Sequence, residues 1–130
     1  MIDIASLSAT GAFRLEDEGE GIACLVFDLP GEKVNKLTAG VLHDLARVLD
    51  ALTKESSLKA LIVIGGKPDS GTFIAGADIN EIRAVTDPVD AVRKAGEGQA
   101  VLGRLASLPA VTVAAIDGAC LGGGTELALA

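Results

Sequence analysis

Two stretches of bare backbone, each leading into a carboxylate, carry the chemistry this sequence offers. Gly122-Gly123-Gly124 follow the apolar run VTVAAI (residues 111–116) and precede a helical TELALA pattern whose first carboxylate is Glu126. The first turn of a helix leaves four backbone N–H groups without partners. Together with the helix dipole they favour negative charge, and glycine lets a ligand atom approach the backbone closely. The turn therefore reads either as an anion-holding site or as a tight turn with close helix–strand packing. Glu126 reads either as a complement to the dipole or as a carboxylate within reach of whatever the N–H groups hold. Beside a bound phosphate a carboxylate would be repelled. Beside an oxygen whose charge develops only in the transition state it could handle water or a proton.

Familiar phosphate and nucleophile motifs fail here. A P-loop needs Gly-Lys-Ser/Thr where this turn has Gly-Thr-Glu. A dinucleotide fingerprint counted from Gly122 meets Leu127 where its last glycine belongs. A nucleophile elbow needs a serine that the turn lacks. The second stretch, FIAGADINEI (residues 73–82), again mixes small residues, Ala75, Gly76 and Ala77, with Asp78 opening a short polar helix. Asp78 serves equally as a simple N-cap. Two such turns in one chain point to a two-donor oxyanion hole with one N–H from each.

Strands and helices must position these turns. Phe13 to Leu15 reads as a short strand, DEGEG (residues 17–21) as a hairpin turn and IACLVFDL (residues 22–29) as a strand. Leu37, Val41, Leu42, Leu45, Val48, Leu49 and Leu52 recur at helical spacing, predicting a helix over 38–53 with Thr38 as N-cap. ALIVI (residues 60–64) and VTVAAI read as buried strands and GGKPDSG (residues 65–71) as a loop. Asp87-Pro88 starts a helix that runs in register to Leu108, weakened by Gly96, Gly98 and Gly103 and ended by Pro109. Buried strands separated by helices predict an α/β protein with a largely parallel sheet.

Composition narrows the function. The chain has 130 residues, 49% of them hydrophobic, a net charge of −7, three Phe, and neither Trp nor Tyr. That is one domain at most, able to bury roughly two thirds of its unfolded surface. It offers no aromatic stacking platform and no basic track for nucleic acid. Cys24 and Cys120, with one histidine, make no metal or disulfide framework. MIDIASLSATG has neither the basic nor the apolar region of a secretory signal, and no run reaches the ~18 apolar residues of a membrane span.

FIAGADINEI, followed by VAAIDGACLGGGTELALA, resembles the enoyl-CoA hydratase (crotonase) family, most closely the hydratase part of its multifunctional fatty-acid oxidation α-subunits. PGEKVNKL and LPAVTVAAIDGA agree, so the likeness covers nearly all of residues 13–130. It implies a crotonase-like spiral of ββα units, of which residues 1–130 would be the N-terminal portion. It implies hydration of trans-2-enoyl-CoA in fatty-acid β-oxidation. The backbone N–H groups of Ala77 and Gly123 would hold the thioester oxygen and Glu126 would handle the water. Ala75, Gly76, Ala77, Asp78, Ile79 and Asn80 would lie along the CoA, with Ala75 and Ile79 near its adenine. Gly122 and Gly123 would contact the thioester, and the loop around Lys33 and Val34 would also touch CoA.

The family's second glutamate would fall beyond Ala130, so the 130-residue polypeptide is expected to be inactive alone. The resemblance implies no metal and no cofactor in this segment: coenzyme A belongs to the substrate, and NAD would enter only with a following dehydrogenase domain. It implies a homo-oligomer or assembly with a thiolase subunit, in bacterial cytoplasm or, alternatively, the mitochondrial matrix. Rival readings are an enoyl-CoA isomerase of the same fold, which often lacks a glutamate at the Glu126 position, and a non-catalytic CoA-binding fragment. A serine protease of the related spiral fold is disfavoured. His43 reads as a solvated residue beside Asp44 and Arg47, and no serine lies in the glycine turn. Lys67, Arg83 and Lys94 read as solvated cations and Cys120 as a small packed residue.

Overall fold

The computed structural model describes residues 11–130; the reading of the first ten residues as no secretory signal lies outside them. β1 (Phe13–Gly19) and β2 (Ile22–Phe27) form an antiparallel hairpin and are followed by α1 (Ala39–Lys54). Then come β3 (Ala60–Gly65), β4 (Thr72–Ile74), α2 (Ile79–Ala84) and α3 (Pro88–Ala106). β5 (Val111–Ala115), β6 (Ala119–Cys120) and α4 (Gly123–Leu129) complete the order. The pattern strand, strand, helix thus recurs three times, with an extra helix in the second unit. One sheet runs β1-β2-β3-β5, with β2, β3 and β5 parallel, and β4 pairs with β6 in a separate parallel ribbon. The expected α/β architecture with a largely parallel sheet is present.

The core follows from the two periodicities. α1 buries Val41, Leu45, Val48, Leu49 and Leu52, which join Ala23, Leu25 and Phe27 of β2 and Leu61 and Val63 of β3 in one cluster. Each aliphatic side chain fully buried there stabilises by about 1.5–3 kcal/mol. Thr38 caps α1 as expected, its hydroxyl accepting from the Val41 N–H at 3.0 Å. Asp87 caps α3 in the same way.

Several expectations need correction. VTVAAI is not a buried strand: Val111 and Val113 are 65% and 46% exposed. Among the described residues β5 pairs with β3 and with no other strand. Its register sets Val113 beside Ile62 and Cys24, on the sheet face opposite the Leu61 and Ala23 side chains that meet α1. An apolar run of strand length does not distinguish an inner from an edge position. DEGEG is not all turn either, since β1 extends to Gly19. Glu20 and Gly21, with φ of 56° and 83°, form the kind of turn whose twist suits a hairpin. Leu108 lies beyond the end of α3. The short strands β4 and β6 are additions, too brief to show an alternating pattern.

Candidate active site

Residues 35–37 act as a template for the turn between β4 and α2. The Ala75 N–H donates to the Asn35 carbonyl at 2.8 Å, Leu37 N–H to Gly76 O at 2.8 Å, and Asp78 N–H to Leu37 O at 2.9 Å. Leu37 and Ala77 are thus bridged as in a parallel ladder, where the groups flanking the bridged residue face the partner. The N–H of Ala77 itself is turned away from the template, and no hydrogen bond from it is made among the described residues. Gly76 holds φ +122°, and a Cβ there would come within 3.3 Å of the Leu121 carbonyl oxygen, so both conformation and space require glycine.

Three side chains brace this turn. Asn35 is completely buried; its Oδ1 accepts from Leu29 N–H at 2.9 Å and its Nδ2 donates to Phe27 O at 2.5 Å. It pins the loop that carries exposed Lys33 and half-buried Val34. Asp78 caps α2, accepting from Asn80 N–H at 2.8 Å and Glu81 N–H at 3.3 Å. Its second oxygen pairs with Lys36 Nζ at 3.2 Å, and Lys36 also reaches Glu32 at 3.4 Å. The Lys36 ammonium, then the two N–H bonds, hold the Asp78 carboxyl below the usual aspartate range. Glu81 in turn accepts from the Ala39 N–H at 2.9 Å, joining the starts of α1 and α2.

The second turn is built with fewer fastenings. Leu121 N–H donates to Ile74 O at 3.1 Å, tying the turn to β4, and Gly124 N–H donates to Leu121 O at 2.8 Å. Gly122, at φ 49° and ψ −120°, occupies the cap position of α4 without any side-chain cap. Gly124 is buried, and a Cβ on it would lie 2.7 Å from both Cβ and O of Ile74. Close helix–strand packing is therefore the role of Gly124. Gly123 differs: its N–H makes no hydrogen bond among the described residues, and a Cβ on it would stand 3.5 Å from Ala77 N. From the other side, a Cβ on Gly76 would stand 4.0 Å from Gly123 N. The two unengaged N–H groups are neighbours. Glu126 is exposed in the first turn of α4.

The structure thus brings together Gly76, Ala77 and Asp78 with Gly122 and Gly123, and sets Glu126 one helical turn away. Ala75 is fastened to Asn35 at the edge of this cluster, while Ile79, 62% exposed, and Asn80 lead away from it on α2. Lys67 and Lys94 are engaged elsewhere, with Asp28 at 2.7 Å and Asp90 at 3.3 Å. Arg83 and His43 are exposed. Both cysteines are free thiols; burial, then Glu16 and Glu18, pushes the Cys24 thiol up. Among the described residues no group of three His, Cys, Asp or Glu is placed to hold a metal ion. No helix of the described residues is long and apolar enough to cross a membrane.

Asn35 and Lys36 had no distinct role in the sequence reading, and Leu37, read there as part of the helical pattern, lies before the Thr38 cap and bridges Ala77 instead. The available signal was an Asn between Val34 and Lys36, which becomes informative only once the strand end it binds is known. Two N–H donors side by side can stabilise charge on one oxygen, and a nearby carboxylate can exchange protons with water or carbon next to it.

Comparison with known proteins bears on the family and the fold. A family profile described as enoyl-CoA hydratase/isomerase matches residues 17–130. The fatty acid oxidation complex subunit alpha of Idiomarina loihiensis is 43% identical over 124 residues, covering 95% of this chain and 17% of that protein. The chain spans about a sixth of the length of such curated relatives. Among solved structures, an enoyl-CoA hydratase from Bacillus anthracis is 25% identical with a TM-score of 0.79, over 91% of this chain and 44% of that one. One from Shewanella pealeana, 23% identical, has a TM-score of 0.84 over 98% of this chain and 47% of that one, a likeness of fold.

Proposed function

The chain belongs to the enoyl-CoA hydratase/isomerase family, and on that premise we propose that it carries the oxyanion hole and the water-handling carboxylate of an enoyl-CoA hydratase acting in fatty-acid β-oxidation. Water adds across the C2–C3 double bond of a trans-2-enoyl-CoA, and negative charge builds on the thioester oxygen. The observation that carries this reading is the juxtaposition of two unengaged N–H groups, those of Ala77 and Gly123. Such preorganised donors act on the charge as it forms, and each is worth about 2.7–4 kcal/mol in comparable holes. Glu126 positions and deprotonates the water. Ala75 to Asn80 and the Lys33–Val34 loop receive the CoA portion. The glutamate also favours hydration over isomerisation alone, because shuttling one proton needs only one base.

Residues 1–130 by themselves are inactive in this reading, with a non-catalytic CoA-binding fragment as the alternative. Supporting this, Leu121 beside the turn and Leu129 at the end of α4 are 57% and 84% exposed, and the solved relatives are more than twice as long. A homo-oligomer, or assembly with a thiolase subunit, would belong to the intact gene product, and NAD only to a dehydrogenase domain within it. The test is crotonyl-CoA hydration, followed by loss of the enoyl absorbance, for the intact gene product and for residues 1–130. Hydration by the intact product that exceeds ~1 s⁻¹, a typical enzyme rate, supports the reading. Isomerisation of a 3-enoyl-CoA without hydration would replace it by the isomerase.

A further inference from the structure

The peptide that offers the Ala77 N–H is fastened along one edge, its own carbonyl accepting from Leu37 N–H, between the bonds from Ala75 N–H to Asn35 O and from Asp78 N–H to Leu37 O. Asn35 and Leu37 send their side chains into the core, 0% and 7% exposed. Alternation along an extended segment then turns Lys36 the other way, where it meets Asp78 at 3.2 Å. The Asp78 carboxylate is only 13% exposed, and its other oxygen is occupied by the first N–H groups of α2. Lys36 therefore grips the one side chain that follows Ala77 directly and starts α2. An ion pair near the surface contributes little to stability, so this contact is better suited to fixing a direction than to holding the fold.

We propose that Lys36 is a positioning residue that acts through Asp78 to aim the Ala77 N–H at the thioester oxygen. This rests on the reading of Ala77 as an oxygen donor. Without the ammonium, the 35–37 template bonds remain, but they fasten the turn along one edge only, so the Gly76–Ala77 peptide can tilt about that edge together with Asp78 and the start of α2. Misplacement on the order of 1 Å can cost about 10²-fold. With the template retained, the expected loss in kcat is about tenfold, with KM little changed.

The test uses the intact gene product, its Lys36→Met, Lys36→Arg and Asp78→Asn variants, and butyryl-CoA isotope-labelled at the thioester carbonyl. Infrared difference spectra report the downshift of the carbonyl stretch on binding, a direct reading of hydrogen bonding to that oxygen. Lys36→Met should lose a large part of the downshift and about tenfold in kcat while melting near the parent temperature. Lys36→Arg should recover both. Asp78→Asn keeps an oxygen to cap α2 but not the charge, so it should match Lys36→Met, and the double variant should be no worse than either alone. An unchanged downshift and kcat in Lys36→Met overturns the positioning role. A parent that shows no downshift overturns the oxyanion-hole reading itself, a result separate from the first.

Discussion

The turn before α2 and the turn before α4 supply the same thing, one unengaged N–H each, by opposite means. Around Ala77 the backbone is held by three bonds to residues 35–37, a buried Asn35, an Asp78 cap and the Lys36 pair. Around Gly123 there is no side-chain cap; the turn is held by glycine conformations, one bond to β4, a local bond from the Thr125 hydroxyl to Cys120 O at 3.0 Å, and the close seat of Gly124 on Ile74. The first turn is positioned by polar contacts made at a distance in sequence, the second by glycine geometry and contacts close in sequence. Substitutions should therefore injure the two turns by different mechanisms.

The largest expected effect falls on the second turn. Glu126→Gln in the intact gene product should lower hydration by roughly 10²–10⁴-fold, the usual worth of general acid–base catalysis, while crotonyl-CoA binding by calorimetry stays intact. Equal rates would return Glu126 to a dipole complement. Next, Asn35→Ala leaves Leu29 N–H without its acceptor, while Phe27 O keeps the Gly66 N–H at 2.7 Å. The orphaned donor costs about 1–3 kcal/mol, read as a lower midpoint in urea; parental stability would mean that the clamp is dispensable. Gly124→Ala should cost about 1–3 kcal/mol through overpacking against Ile74. Gly96→Ala on α3, where a Cβ meets nothing within 4 Å, should stabilise by roughly 0.5–1 kcal/mol. The same sign at both sites would contradict the packing assigned to the second turn.

The smallest effect separates the turns by pH. Because Asp78 is depressed in the fold, its contribution is complete above the ordinary aspartate range, about pH 4. It is lost as pH falls through the lower folded value. Lys36, Glu32 and Glu81 are the charged groups beside it. The amide resonances of Asn80 and Glu81 should shift with a midpoint below about pH 4, and those of Gly124 and Thr125 should not follow. A midpoint above that range would mean that Lys36 does not grip Asp78.

How much of this was legible in the sequence depends on how local each feature is. α1 and its Thr38 cap, α3 and its Asp87 cap, and the three longer inner and hairpin strands are written in spacing and caps a few residues apart. The edge position of β5 was not, because Val111 and Val113 are as apolar as any inner strand and only the pairing order exposes them. β4 and β6 are too short to carry a period. At the site, the glycines and Glu126 announce themselves by type. The division of labour between Gly123 and Gly124 does not, since it depends on which one faces Ile74. Asn35, Lys36 and Leu37 act on residues about forty positions away, a relation that no local pattern encodes.

The central claim is that the N–H of Gly123 holds the thioester oxygen, and one pair of variants tests it. Gly123 is the first residue of α4, a position where proline fits a helix and no intrahelical bond is lost; its ring adds a Cβ as alanine does, so the alanine variant is the control for that contact. Gly123→Pro deletes the N–H, whereas Gly123→Ala keeps it and adds a Cβ 3.1 Å from a flexible Leu37 methyl. With folding checked by circular dichroism, kcat for crotonyl-CoA hydration by the intact gene product should fall roughly 10²–10³-fold in Gly123→Pro and far less in Gly123→Ala. A folded Gly123→Pro that hydrates at the parent rate, or an alanine variant that loses as much as the proline, would contradict the account.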